Sequence, residues 1–191
     1  MLKLLIISQN ITNYDLPIPK DAIFRINLAW VDSIDELTKI LAIHRSNEIF
    51  LDLPTNRTKP PNNKYSVDDL VPIINSNSNI KFFAISNINN SNDLKEYLEK
   101  IPEHITLVPK IESPEGVTNV KEICNVLRNE KILMLDHGDL YTILLKNNKK
   151  NEFTNYLKQL LDFCKNNNIT LLRTIGVIFS DEEKRVTDYI D

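Results

Sequence analysis

The sequence of residues 105–140 predicts a complete strand–helix–strand unit: ITLVPKIESPEGVTNVKEICNVLRNEKILMLDHGDL. Ile105–Ile111 and Lys131–Leu135 are short aliphatic runs, typical of strands that are covered on both faces. Between them, apolar residues recur at the spacing of one helix face: Val117, Val120, Ile123, Cys124 and Leu127. A strand, a helix and a second strand in this order predict two strands of a parallel sheet.

The same alternation extends along the rest of the chain. Five further strands are predicted at Leu2–Ser8, Ala22–Asn27, Glu48–Leu53, Ile80–Ser86 and Ile169–Ile178. Helical patterns separate them, with capping boxes at Ser33 and Glu36 and at Ser180 and Glu183, and with Pro72 inside the pattern from Ser66 to Asn75. These features predict an α/β fold, either a doubly wound sheet or a (β/α) barrel. We expect a single domain over residues 1–191 that forms a TIM-type barrel, incomplete because seven strands are recognisable where a closed barrel has eight.

Glycine is scarce in this chain. Gly116, Gly138 and Gly176 are the three glycines among 191 residues, whereas the usual share is about 7%. A P-loop needs two glycines within a short loop, and a dinucleotide-binding fingerprint needs three, because only glycine lets the backbone approach phosphate so closely. The composition therefore excludes Walker-type NTPases, Rossmann dehydrogenases and protein kinases with a glycine-rich loop.

Charge and hydropathy limit the environments and the binding partners that we expect for this chain. A net charge of −3 provides no basic surface that would collect nucleic acid. No apolar run approaches the roughly 18 residues of a membrane span. Cys124 and Cys164 lie in apolar helical patterns without C-x-x-C spacing, and this predicts reduced thiols in the core. We therefore expect a cytoplasmic protein that binds neither nucleic acid nor a membrane.

Polar residues cluster where the predicted strands end. They are Arg25 and Asn27, Asp52, Ser86, Lys110 and Glu112, Asp136 to Asp139, and Arg173 with Thr174. The period of two along a strand places Arg25 and Asn27 on one face, and likewise Lys110 and Glu112. In a barrel these faces converge at the end where the fold places its sites. Charges on otherwise apolar strands are costly unless they are paired or bound to a metal, so this pattern predicts a site.

The acidic residues of this pattern suit a metal ion. Glu112 and Asp139 are two carboxylates from adjacent strands, a set that could hold Mg²⁺ while water and substrate oxygens complete its shell. Lys110 beside them would stabilise negative charge that develops on a substrate oxygen or phosphoryl group. The alternative is that Lys110 and Glu112 form only a local ion pair on a partly exposed strand end.

Three further residues could bind an anionic substrate. Gly138 has no side chain to block the approach of a carboxylate to nearby backbone amides. Arg25 and Arg57 could bind phosphate or carboxylate in fork geometry.

Several of these segments resemble the pyruvate kinase family. The segments Leu107–Val117 (LVPKIESPEGV) and Ile132–Leu140 (ILMLDHGDL) look like the paired strand-five and strand-six motifs of that family. Similarity in the same order extends to Phe24–Leu28 (FRINL), to Phe50–Leu53 (FLDL) with Arg57 and Thr58, and to Phe82–Asp93. The resemblance covers almost the whole chain and implies a barrel that binds phosphoenolpyruvate or pyruvate.

The resemblance also implies a role for each matching residue. Lys110 would be the catalytic lysine at the transferred phosphoryl group and enolate oxygen. Mg²⁺ would be bound by Glu112 and Asp139, while the amides of Gly138 and Asp139 would hold the substrate carboxylate. Arg25 would contact the phosphoryl group.

Four more positions follow from the same resemblance. Asn27 and Asp52 match two ligands of a potassium ion, and Arg57 matches an arginine near the nucleotide phosphates. Thr174 adjoins Ile175, which aligns with the threonine that the family links to enolate protonation, and we expect Thr174 to contact the substrate.

The chain also departs from the family pattern. Ala29 and Trp30 replace a serine and a histidine, one of which is a potassium ligand, and His137 replaces an arginine. Between Lys59 and Tyr65 a short loop stands where the family inserts its nucleotide-covering lid. We find no counterpart of the eighth strand or of the C-terminal domain.

The leading prediction is a pyruvate-kinase-like transferase that moves a phosphoryl group between phosphoenolpyruvate and a nucleotide, ADP or ATP. The first alternative is a Mg²⁺-dependent aldolase or lyase that acts on an α-oxo acid through a pyruvate enolate. The second is a non-catalytic, degenerate barrel that serves as an assembly or binding subunit. Because a missing strand leaves unpaired sheet edges, we also expect a homo-oligomer or a partner that covers the gap.

Overall fold

The computed structural model describes residues 6–8, 21–55 and 64–173. Its strands are β1 (Ile6–Ser8), β2 (Ile23–Asn27), β3 (Ile49–Leu53), β4 (Ile80–Ile85), β5 (Thr106–Ile111), β6 (Ile132–Leu135) and β7 (Thr170–Arg173). They form one parallel sheet in the order β1-β2-β3-β4-β5-β6-β7, curled into a half-barrel. The order has no reversal point, which a doubly wound sheet requires. The α/β prediction is thus confirmed, and the doubly wound alternative is wrong for the described strands.

Helices follow the strands. They are α1 (Ile34–Ile43), α2 (Val67–Ser76), α3 (Lys95–Lys100), α4 (Pro114–Thr118), α5 (Val120–Val126), α6 (His137–Lys146) and α7 (Phe153–Asn166). Single 3₁₀ turns lie at Leu28–Trp30, Ser91–Leu94 and Lys150–Glu152. None of the helices in the described ranges has the length and apolar character that crossing a membrane would require.

The helix caps differ in detail from the predictions. The side chain of Ser33 caps α1 by accepting from the Glu36 amide, but the Glu36 carboxylate accepts from Asp32 instead of Ser33. α2 forms despite Pro72, and Ser66 and Asp69 make a complete capping box at its start. The predicted box at residues 180 and 183 lies outside the described residues.

The core is divided by the sheet. The larger apolar cluster contains residues from both strands and helices. The smaller cluster contains strand residues alone: Ile23, Phe50, Phe82, Ala84, Val108, Ile132 and Met134. The helices therefore pack on one face of the sheet, and the smaller cluster marks the other, inner face.

Strand alternation explains how the inner face leads to the polar site. On β5, Val108 belongs to the inner cluster, so Lys110 points to the same side two residues later. The same step leads from Phe50 to Asp52 on β3, and from Met134 to Asp136 after β6. Because the strands are parallel, all these polar residues lie at the carboxyl end of the sheet.

Candidate functional site

A cleft of about 460 Å³ lies at the carboxyl ends of the strands. Its lining includes Arg25 and Asn27 from β2, Lys110 and Glu112 from β5, and one side of α6 from Gly138 to Lys146. Six of the nine sequence-predicted site residues border it: Arg25, Asn27, Lys110, Glu112, Gly138 and Asp139. Asp52 is buried beneath it, and Arg57 and Thr174 lie outside the described residues.

Three carboxylates converge in the cleft. Glu112, Asp136 and Asp139 each offer an oxygen atom, and the three atoms lie within 4.8 Å of one another. Glu112 follows β5 and is buried, whereas Asp136 caps α6, Asp139 lies in its first turn, and both are half-buried. The predicted meeting of Glu112 and Asp139 is therefore found. An all-oxygen set of this kind fits a hard divalent cation such as Mg²⁺.

Lys110 lies at the centre of a buried charge network. Its Nζ atom is 3.0 Å from Ser86 Oγ, 3.1 Å from Glu112 Oε1 and 3.5 Å from Asp52 Oδ1. Burial by itself would lower the pKa of Lys110, but the carboxylates of Asp52 and Glu112 outweigh it and raise the pKa above its ordinary value. Lys110 is consequently a permanent cation beside the acidic cluster.

Glu112 has a protein partner at each oxygen. Oε1 faces Lys110, and Oε2 accepts a hydrogen bond of 2.6 Å from the backbone amide of Asn87. Burial nevertheless raises the pKa of Glu112, because it outweighs both Lys110 and the Asn87 amide. A bound cation would offset this cost, which is a second reason why the group suits a metal.

Arg25 and Asp52 bind each other. Arg25 Nε donates to Asp52 Oδ2 at 3.1 Å, and the Arg25 guanidinium makes a second, short contact with the same oxygen. Burial would raise the pKa of Asp52, but Lys110 and Arg25 lower it below its ordinary value. Arg25 was expected to reach a phosphoryl group; here its guanidinium is held by Asp52.

The predicted potassium ligands also have protein partners. Asp52 faces two positive side chains, and Asn27 Oδ1 accepts from the Ala29 amide at 3.0 Å, where it caps a 3₁₀ turn. Two cations beside Asp52 oppose a bound potassium ion through charge repulsion. The potassium assignment stays a prediction, and this charge distribution weighs against it.

Asp136 was recognised as part of a polar strand end, but the sequence did not assign it to the metal site. Its Oδ1 atom accepts from the amides of Gly138, at 3.1 Å, and Asp139, at 3.2 Å, and so caps α6. These are the two amides expected to hold the substrate carboxylate, so here a side chain of the protein occupies them. An aspartate directly before a helical pattern is a strong N-cap signal and could have identified this residue.

Gly138 is not required by the protein's own packing. A Cβ atom there would meet only Asp136 Oδ1, at 3.5 Å, an ordinary contact. At Gly116, by contrast, a Cβ atom would come within 2.6 Å of the Ile88 carbonyl oxygen. Gly116 is therefore required by packing, and the space at Gly138 opens on the cleft.

Asn87, the second missed residue, follows β4 and Ser86. Ser86 was recognised as a polar strand end but was not assigned to the site. Asn87 adopts the left-handed backbone conformation, with φ of 57°, for which asparagine is one of the few suitable residues. The hydrogen bond to Glu112 comes from the backbone amide of Asn87, and no residue spacing in the sequence signals such a contact.

Comparison with known proteins shows a fold and no family. No protein-family model matches the chain, and neither does any curated protein. Among solved structures, the crystal structure of RipC from Yersinia pestis is similar, with a TM-score of 0.62 and 13% identity, over 93% of this chain and 77% of that chain. At this identity the likeness concerns the fold alone, so the resemblance to pyruvate kinase stays a prediction.

Proposed function

We propose that this chain is a divalent-cation-dependent enzyme of pyruvate enolate chemistry. One observation carries the proposal: the carboxylates of Glu112, Asp136 and Asp139 lie within 4.8 Å of one another in a cleft that Lys110 also lines. Such a set would hold Mg²⁺, which supplies Lewis-acid polarisation of a substrate oxygen when bound. An α-oxo acid or its enol phosphate offers the oxygens that a cation of this type prefers.

Lys110 would provide the electrostatic part of catalysis. Its ammonium group is fixed by Ser86 and Glu112 before any substrate binds. A preorganised cation stabilises an enolate oxygen as negative charge develops, and it needs no reorganisation during the reaction. The raised pKa of Lys110 keeps its side chain protonated at neutral pH. Lys110 would therefore act as a charge stabiliser and not as a general base.

The first reaction to test is phosphoryl transfer between phosphoenolpyruvate and a nucleotide. Three cationic side chains, Arg25, Lys110 and Lys146, line the same cleft as the acidic cluster and would favour phosphate groups. The second is aldolase or lyase cleavage of an α-oxo acid. The ion pair between Arg25 and Asp52 favours this second reaction. Cleavage through an enolate requires the metal and Lys110, but it requires no arginine at a phosphoryl group.

Calorimetric titration of oxalate, a mimic of the pyruvate enolate, tests the shared part of both reactions. We expect Mg²⁺-dependent binding by the wild type, loss of binding in Glu112→Gln, and unchanged binding in Glu103→Gln, an exposed glutamate outside the cleft. Equal binding by the wild type and Glu112→Gln would favour a degenerate, non-catalytic barrel. ³¹P NMR with phosphoenolpyruvate, ADP and Mg²⁺ then separates the two reactions: ATP formation supports the transferase, whereas its absence at high enzyme concentration removes it.

We also propose that the half-barrel is an incomplete TIM-type barrel whose gap is covered by a second copy of the chain or by another protein. The sequential strand order, the helices on one face and a cleft at the carboxyl strand ends support it. Within the described residues, β1 and β7 each pair with a single strand, and such edges favour association. Sedimentation of the purified chain as a well-folded monomer would contradict this proposal.

A further inference from the structure

The turn after β4 contacts two buried charged groups of the proposed site, the Lys110 ammonium and the Glu112 carboxylate. Ser86 Oγ accepts from Lys110 Nζ at 3.0 Å, and the amide of the next residue, Asn87, donates to Glu112 Oε2 at 2.6 Å. Lys110 and Glu112 are buried, with 6% and 2% of their surfaces exposed. Two consecutive residues of one strand end thus contact the ammonium and the carboxylate of the neighbouring strand end.

The turn itself is held on several sides. The Ser86 amide donates to the Leu53 carbonyl at 3.1 Å, and the Thr55 hydroxyl donates to the Ser86 carbonyl. The side-chain amide of Asn87 donates to the Thr55 carbonyl at 2.6 Å, and the Asn87 carbonyl accepts from Asn89 at 3.3 Å. Hydrogen bonds to the end of β3 therefore hold the turn in place independently of its contacts with β5.

The backbone of Asn87 makes this arrangement possible. Its φ of 57° lies in the left-handed region, which glycine and asparagine tolerate and which alanine adopts only with strain. In this conformation the chain turns at the end of β4 while the Asn87 amide points at Glu112. With one oxygen on Lys110 and the other on Asn87, the plane of the Glu112 carboxylate is set, and its remaining lone pairs are available to a cation.

We infer that Ser86 and Asn87 are positioning residues, Asn87 fixing Glu112 as a metal ligand and Ser86 fixing Lys110 at the substrate oxygen. The inference rests on the proposed function and extends it to two residues that act through Glu112 and Lys110. Partners that orient metal ligands change metal affinity by about 10- to 100-fold when they are removed.

The test for Asn87 is a Mn²⁺ titration followed by electron paramagnetic resonance. We expect Asn87→Ala to weaken Mn²⁺ binding about tenfold, because strain in the left-handed region displaces the amide. Asn87→Gly, like Asn87→Ala, loses the side-chain bond to Thr55 but adopts this conformation without strain and keeps the backbone amide, so its affinity should stay within about threefold of the wild type. Asn168→Ala is the matched control, since Asn168 has φ of 55° in the turn before β7, at the opposite end of the sheet.

The outcomes separate the two proposals. Thermal unfolding should show a loss of stability in both Asn87→Ala and Asn168→Ala, larger in Asn87→Ala because it also loses the side-chain bond to Thr55, with loss of Mn²⁺ affinity in Asn87→Ala alone. Wild-type affinity in Asn87→Ala, or equal weakening in Asn168→Ala, would overturn the role of Asn87 and leave the proposed metal site standing. A wild-type protein that binds no Mn²⁺ would overturn the metal site itself, and the positioning role with it.

Ser86→Ala tests the lysine side of the turn. It removes the uncharged acceptor of Lys110 but leaves the Asn87 amide on Glu112, so Mn²⁺ affinity should be unchanged. Binding of oxalate in the presence of Mg²⁺ should weaken about tenfold, since Lys110 would be held only by Glu112 and Asp52, which draw its ammonium group away from the substrate oxygen. Unchanged oxalate binding, or a parallel loss of Mn²⁺ affinity, would overturn the role of Ser86.

Discussion

Lys110 Nζ lies 3.1 Å from Glu112 Oε1, and the two side chains are only 8% and 2% exposed. The alternative from the sequence was an ion pair on a partly exposed strand end; the ion pair is present, but both of its groups are buried. Removing two charges from water costs several kcal/mol per ion, so a buried pair is a poor way to gain stability. Its position beside two further carboxylates favours a functional role.

Loss of the lysine charge should destabilise the fold. We predict that Lys110→Met lowers the free energy of unfolding by about 3 to 5 kcal/mol, because it leaves Glu112 buried without its cation. Urea denaturation measures this change. In the double variant Lys110→Met/Glu112→Gln much of the loss should be recovered, and a double variant as unstable as the single one would contradict the account.

Asp136 should act both as a helix cap and as a metal ligand. Asp136→Asn keeps a side-chain oxygen for the Gly138 and Asp139 amides, so we expect nearly unchanged thermal stability with at least tenfold weaker Mn²⁺ binding. Asp136→Ala should lose Mn²⁺ binding and also about 1 kcal/mol of stability.

The control for Asp136 is Ser66→Ala, which removes the cap of α2. It should cost a similar stability and leave Mn²⁺ binding unchanged. Wild-type Mn²⁺ affinity in Asp136→Asn would show that Asp136 is a cap alone.

The two glycines should respond oppositely to alanine. Gly116→Ala places a Cβ atom 2.6 Å from the Ile88 carbonyl oxygen, so we predict a loss of about 1 to 3 kcal/mol in chemical denaturation. Gly138→Ala meets nothing closer than 3.5 Å and should keep or slightly raise stability in α6 while weakening Mg²⁺-dependent oxalate binding. Equal stability changes in the two variants would refute this distinction.

The buried cysteines should make the fold sensitive to alkali. Burial raises the pKa of Cys124 from its ordinary value of 9.0 to about 11, and that of Cys164 to about 12. The unfolded chain ionises first, so the contribution of these thiols to stability is full below about pH 9 and is lost as pH rises through 11 to 12.

Unfolding free energy measured from pH 8 to pH 11 checks this direction. The double variant Cys124→Ala/Cys164→Ala should show a shallower decline than the wild type. A thiol reagent at pH 8 should label the native protein slowly and the urea-unfolded protein fast. Fast labelling of the native protein would contradict the buried placement.

Local patterns in the sequence were sufficient for the sheet. Apolar runs on β2 to β7 identify strands that are covered on both faces, and their boundaries differ from the prediction by one residue in most cases. The convergence of Lys110, Glu112 and Asp139 could also be predicted, from the alternation of side chains along a strand and from the parallel order of the strands. Neither rule depends on loop conformation or on hydrogen-bond partners.

The features of the site that the sequence did not predict depend on contacts between strand ends. The hold of Asp52 on Arg25 requires the register in which Asn27 pairs with Asp52, and side-chain directions that no spacing reveals. The Asn87 amide reaches Glu112 through a single left-handed residue, which many asparagines in this chain could have supplied. Backbone donors are present at every residue, so composition gives no sign of which one is used.

Anomalous diffraction from crystals of the wild-type protein soaked in Mn²⁺ would locate the proposed metal site itself. We expect a strong anomalous peak among the carboxylates of Glu112, Asp136 and Asp139, and no peak there in crystals of Glu112→Gln. A well-ordered wild-type crystal without that peak, or a peak retained when Glu112 is replaced, would contradict the metal site on which the proposed function depends.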